Sequence, residues 1–296
     1  MQHKENTQET PVVFECHEQQ LIGIIHKGNA AANIGVLVIV GGPQYRAGSH
    51  RQFILLARHL ASQGIPAMRF DVSGMGDSNG QLRSFQQLDD DIRAAIDCFL
   101  ASCPNLNQVV LWGLCDGASA ALFYGYQDSR VKGLVLLNPW VFTEQGAAKT
   151  YLKHYYLQRL LSKDLWRKVF SFKFDFSASV VSLLSLLKQA AGQASTQHTA
   201  TTITRVDETM ALPLRMRECL RQFSGPVLLI LSGRDLTAGE FKETVKGDPE
   251  WQALLNENRL IRHDFAEADH TFSSAVWRDQ VADWTATWVK NFDLYD

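Results

Sequence analysis

Val110-Leu-Trp-Gly-Leu-Cys-Asp-Gly-Ala-Ser119 reads as a buried strand, a sharp turn flanked by glycines, and the start of a helix. The pattern Gly113-x-Cys115-x-Gly117 has the spacing of a nucleophile elbow, with cysteine where serine is usual. Small neighbours let strand and helix approach closely while the turn holds its central residue in a strained conformation. A cysteine so placed stands above the sheet at a helix N-terminus, where the dipole favours a thiolate.

An acid and a histidine follow in order. Pro226-Val-Leu-Leu-Ile-Leu-Ser232 is a continuous apolar strand closed by Gly233-Arg-Asp235. A strand near Leu260–Phe265 leads into Glu267-Ala-Asp-His270-Thr-Phe272. Nucleophile, acid, histidine is the chain order of an α/β-hydrolase triad, with acid and base just past strand ends. In that reading His270 takes the thiol proton, Asp235 fixes the imidazole tautomer, and backbone N–H groups hold the developing oxyanion. Asp264 and Asp269 are rival carboxylates, but both follow the later strand. Asp269 adjoins His270 and is poorly placed to reach Nδ1.

Two more segments fit the same plan. Val36-Leu-Val-Ile-Val-Gly41-Gly-Pro-Gln-Tyr45 is a strand ending in a glycine pair, and Asp71-Val-Ser-Gly74-Met-Gly76-Asp-Ser78 is an Asp-x-x-Gly-x-Gly-x-Ser turn. With these four ordered segments the chain resembles the α/β-hydrolase superfamily over residues 11–140 and 224–296. The resemblance implies a mostly parallel sheet flanked by helices, with a helical cap.

Finer motifs narrow it: the run from Gly41 to Phe53, Arg69-Phe-Asp71, Gly74-Met-Gly-Asp77, Trp112-Gly-Leu-Cys-Asp-Gly-Ala-Ser-Ala120 and Asn138-Pro-Trp140. Together they look like the exosortase A system-associated hydrolase type 1 family. That resemblance implies a bacterial cytoplasmic enzyme beside exopolysaccharide and exosortase genes, and it supplies no substrate.

The oxyanion hole is expected to take one N–H from Asp116, the residue after the nucleophile. The second comes from the Gly41–Tyr45 loop, where Pro43 has no N–H and leaves Gly42 or Gln44. Tyr45 and Arg46, in the same loop, are candidates to meet a substrate carboxylate or carbonyl. Asp116 is a difficulty, because a carboxylate beside the thiol opposes a thiolate unless it turns away to cap the helix.

The 296 residues suit one large domain or a core plus lid, and their 46% hydrophobic and 20% charged content is ordinary for a globular chain. A net charge of −2 offers no electrostatic case for nucleic acid or an anionic membrane. Cysteines 16, 98, 103, 115 and 219 show no paired CxxC spacing. With the polar start Met1–Thr10 they read as reduced cytoplasmic thiols. The apolar runs are strand-length, too short for a membrane span. No Cys/His pair has metal-ligand spacing, and the glycines at 74, 76 and 80 miss a dinucleotide fingerprint. Neither metal nor cofactor is expected.

Strands alternate with amphipathic helices, as in a sheet covered on both faces. Helices are expected over His50–Gln63, after a capping box Ser84-Phe-Gln-Gln87, and through Trp277, Val281, Trp284 and Trp288. Between Pro139 and Pro226 the pattern breaks, first aromatic and basic, then helical around Ser179–Ala191, then Ser/Thr/Gln-rich over Gly192–Thr204. The division expected is core 11–140, cap 141–223, core 224–296, with the Gly192–Thr204 stretch a mobile loop. The other cysteines, and histidines such as His50 and His263, read as packing or surface residues.

The reading is an ester or thioester hydrolase working through a Cys115–His270–Asp235 triad and an S-acyl enzyme. Its partner would be a small-molecule acyl substrate, saccharide- or lipid-linked where the resemblance holds. Alternatives are an acyltransferase using the same acyl-enzyme, a dienelactone-type lactone hydrolase, and a non-catalytic scaffold of the same fold.

Overall fold

The computed structural model describes residues 8–42, 44–142 and 206–292. Its elements are β1 (Glu9–Cys16), β2 (Gln19–His26), β3 (Ile34–Ile39), α1 (Gln52–Ser62), β4 (Ala67–Phe70), α2 (Asp89–Ser102), β5 (Gln108–Leu114), α3 (Asp116–Gly125) and β6 (Val131–Leu137). After the gap come α4 (Leu212–Gln222), β7 (Val227–Arg234), α5 (Leu236–Lys246), α6 (Pro249–Leu255), β8 (Leu260–Asp269) and α7 (Ala275–Lys290). Among the described residues the eight strands form one sheet in the order β1-β2-β4-β3-β5-β6-β7-β8. β1 and β2 make an antiparallel hairpin and β2 meets β4 antiparallel. Every other pairing is parallel.

The central strands are apolar on both faces, as a sheet covered on both sides requires. Their two-residue period divides the core. Leu37, Ile39, Leu111, Leu136 and Leu229 point to the face covered by α2, α3 and α4. Val38, Trp112, Val135 and Ile230 point to the face covered by α1 and α7. α3 lies deepest, with every residue from Gly117 to Gly125 buried.

Three boundaries differ from the sequence reading. The first helix begins at Gln52, not His50, because His50 and Arg51 take left-handed φ of 52° and 61° in a tight turn before it. Ser84 caps only a single turn at Phe85–Gln87, and α2 starts anew at Asp89 with three aspartates in its first turn, which suits the helix dipole. α4 was expected inside the cap, yet its Met216, Cys219 and Leu220 are buried in the core facing α3. The core therefore resumes by Val206, itself buried and donating its N–H to Tyr126 Oη at 3.0 Å. The remainder of the expected cap, including Gly192–Thr204, lies outside the described residues.

Candidate active site

The chemistry-bearing residues gather at the carboxyl ends of β3, β5, β7 and β8. Cys115 follows β5 directly with φ 61° and ψ −125°, a conformation that costs an ordinary side chain energy. Its surroundings enforce the turn. Its N–H donates to Leu137 O at 2.9 Å, while its carbonyl accepts from Trp140 N at 3.2 Å and from the first turn of α3. A Cβ at Gly113 would sit 2.3 Å from Gly117 O, and one at Gly117 would sit 2.6 Å from Ile39 O. Only glycines fit where the backbones cross so closely.

Asp235 ends β7 and does two jobs. Its oxygens accept from Thr237 N at 3.2 Å and Ala238 N at 3.0 Å, capping α5. The same carboxylate lies 2.9 Å from His270 Nδ1 and is almost fully buried. His270 follows β8, whose pairing with β7 runs on to Arg234 against Asp269. The Asp235 carboxylate, followed by a hydrogen bond to Cys115, outweighs burial and pushes the imidazole up to about 10. Asp269 is turned to Ser273, accepting from its backbone N at 2.9 Å and from its hydroxyl. Cys16 and Cys219 are pushed up to about 12 by burial, and burial likewise raises Cys98 and Cys103.

Asn138 was quoted in the sequence only as part of a motif, and its part in the site was missed. Wholly buried at the end of β6 with φ 43°, it accepts from Ser232 N at 2.8 Å and donates to His270 O at 3.0 Å. It ties the acid strand to the base loop. The one available signal was an Asn-Pro pair at a strand end, since asparagine tolerates the left-handed region.

On the other flank, Gly42 and Asp116 meet. Gly42 N donates to Asp116 Oδ2 at 2.7 Å, and Gly117 N donates to Oδ1 at 3.0 Å. Burial, the largest influence, holds the Asp116 carboxyl above its ordinary range against these bonds and the pull of His270. The Gln44 side-chain oxygen accepts from Ser49 N at 3.2 Å.

Tyr45 is exposed at the tip of the same loop. Arg46, the other substrate candidate in this loop, is already paired. Its guanidinium bridges Asp71 and Asp77, and its own N–H donates to Asp71 Oδ1 at 2.6 Å. The Asp-x-x-Gly-x-Gly-x-Ser turn exists to hold this clasp. A Cβ at Gly76 would lie 2.3 Å from Asp71 Oδ2, and Ser78 Oγ donates to Asp71 O at 2.7 Å.

The family described as serine aminopeptidase, S33, matches residues 32–240, a span running from β3 into α5. The chain belongs to this family. It is an α/β hydrolase, and the sheet order above is that fold's.

An esterase of Pyrococcus furiosus superposes with a TM-score of 0.64 at 13% identity, over 97% of this chain and 92% of that one. A dienelactone hydrolase from Anabaena variabilis gives 0.58 at 17% identity, over 97% and 98%. At such identities these structures share the fold. An uncharacterized protein of Pseudomonas aeruginosa is 32% identical over 103 residues, 33% of this chain. The match spans about a quarter, 27%, of that curated relative's length. Among the described residues no group of three His, Cys, Asp or Glu is placed to hold a metal ion, and no helix is long and apolar enough to cross a membrane.

Proposed function

We propose that this hydrolase cleaves an ester or thioester through Cys115, with His270 as the base and Asp235 as its orienting acid. The observation that carries the reading is the line Asp235–His270–Cys115, with a raised imidazole set between a buried carboxylate and a thiol at a strained elbow. The family is named for a serine enzyme, and cysteine stands at the elbow here. A thiolate is the stronger nucleophile near neutral pH and a good leaving group, which suits acyl transfer from activated esters and thioesters.

In this mechanism Sγ attacks the acyl carbon while its proton resides on His270. The oxyanion is held by the backbone N–H groups of Asp116 and Gly42, the loop amide nearest the elbow. As the tetrahedral adduct collapses, His270 returns the proton to the leaving alcohol or thiol. Water, deprotonated by His270, then frees the acid and regenerates the thiol. An alcohol or amine in place of water would give acyl transfer. The resemblance to exosortase-associated hydrolases supports a saccharide- or lipid-linked acyl donor, handled in the cytoplasm.

The test is a panel of acyl thioesters and p-nitrophenyl esters, with peptide mass mapping for an acyl adduct on Cys115. C115A should lose the adduct and drop kcat on the order of 10⁵- to 10⁶-fold, as expected when a nucleophile is removed. Undiminished turnover by C115A would sink the reading.

A further inference from the structure

Gly42 N–H, one of the two amides assigned to the oxyanion, is already taken by the carboxylate of Asp116, the residue whose own N–H is the other. A capping role does not explain this. Asp116 is the first residue of α3, and Gly117 N alone would serve its helix, yet its second oxygen reaches Gly42, 74 positions away in sequence. The end of β3 is shaped for it, because a Cβ at Gly41 would lie 2.1 Å from Asp116 Oδ1. An anion already seated on these amides excludes a second, since a developing oxyanion would meet negative charge at contact distance.

We propose that the Asp116 side chain is a gate on the oxyanion hole. Seated, it occupies Gly42 N–H, an amide that must receive the substrate carbonyl; turned out or neutralised, it frees that amide. The proposal rests on the reading of Cys115 as nucleophile with these two amides as its oxyanion donors. Asp116 is a positioning residue, controlling access to groups that touch the reacting oxygen. The titratable groups facing it are His270, after β8, and Cys115, at the elbow. The β3 end offers it only the backbone at Gly41 and Gly42, because Arg46 further along that loop is held by Asp71 and Asp77.

Two reactions of the same sulfur separate the hole from the nucleophile. With p-nitrophenyl acetate, Sγ bonds to the acyl carbon through an oxyanion, the ester C–O bond breaks, p-nitrophenolate leaves and the thiol proton stays on His270. With iodoacetamide, Sγ displaces iodide at a saturated carbon and forms no oxyanion. The ratio of acetylation rate to alkylation rate therefore cancels thiolate supply and reads the hole. D116A should raise that ratio about tenfold or more, a single oxyanion donor being worth roughly 10²–10³. D116N, which keeps the shape but removes the charge, should raise the ratio as well and by less, because a neutral amide oxygen is a weaker acceptor for Gly42 N–H than a carboxylate.

A ratio unchanged or lowered in folded D116A overturns the gate. If D116A does not fold, an unchanged or lowered ratio in folded D116N does so. Ester hydrolysis with no adduct on Cys115 would instead sink the nucleophile reading, and the gate with it.

Discussion

Two aspartates flank Cys115, and each is held by backbone amides at the start of a helix, yet they are oriented to opposite effect. Asp235 receives N–H bonds from Thr237 and Ala238 and still presents an oxygen to His270. Asp116 receives them from Gly117 and Gly42, and in the proposed mechanism Gly42 is a donor that the oxyanion needs. The same local chemistry, a carboxylate on helix amides, assists catalysis on one side and obstructs it on the other. What decides is the partner beyond the helix: a cationic imidazole in one case, a loop amide in the other.

The comparison breaks most sharply at Asp235. D235N should keep the helix cap, because asparagine caps about as well as aspartate. It should also leave the imidazole in the wrong tautomer and lower kcat by roughly 10⁴. A far-UV spectrum and cooperative unfolding like the parent's, alongside lost turnover on p-nitrophenyl acetate, would separate orientation from capping. Normal turnover would mean the carboxylate serves only the helix.

The tie between acid strand and base loop is the next place to press. N138A removes a buried amide and leaves Ser232 N–H and His270 C=O without their partner, an expected cost of about 1–3 kcal/mol by denaturant unfolding. KM for p-nitrophenyl acetate should change less than kcat, since Asn138 holds the base and touches no substrate. An unaltered unfolding midpoint would show that the two loops stay together without it.

A further effect concerns stability against pH. His270 stands raised to about 10, so its ion pair with Asp235 stabilises the fold fully below the ordinary histidine range near 6.5, and that contribution fades as pH climbs through 10. Melting temperature should fall between pH 7 and pH 10, and H270Q should flatten that slope. Equal slopes would mean that the imidazole is not charged where Asp235 meets it.

Much of this was legible in the sequence, for definite reasons. Gly113-x-Cys115-x-Gly117 and the apolar run closed by Asp235 are local patterns, in which steric demand and strand period are written into adjacent residues. Position along the chain favoured Asp235 over Asp269 as the acid, and the structure turns Asp269 to Ser273. What escaped depends on contacts between distant segments. Neither period nor motif encodes Gly42 meeting Asp116, Asn138 meeting His270, or Arg46 surrendered to Asp71 and Asp77. α4 escaped for a related reason: its buried stripe of Met216, Cys219 and Leu220 is short and lies next to a polar stretch that drew it into the cap.

Cys115 rests on α3, and among the described residues α3 is the one helix buried along its whole length from Gly117 to Gly125. The awkward backbone at the elbow is thus underwritten by a fully enclosed element, and it cannot relax unless that element comes loose. A reaction centre mounted this way has no soft mode of its own. Warming the protein should leave the sulfur's geometry intact up to the point where the whole domain melts, so that catalytic failure and global unfolding share a single temperature.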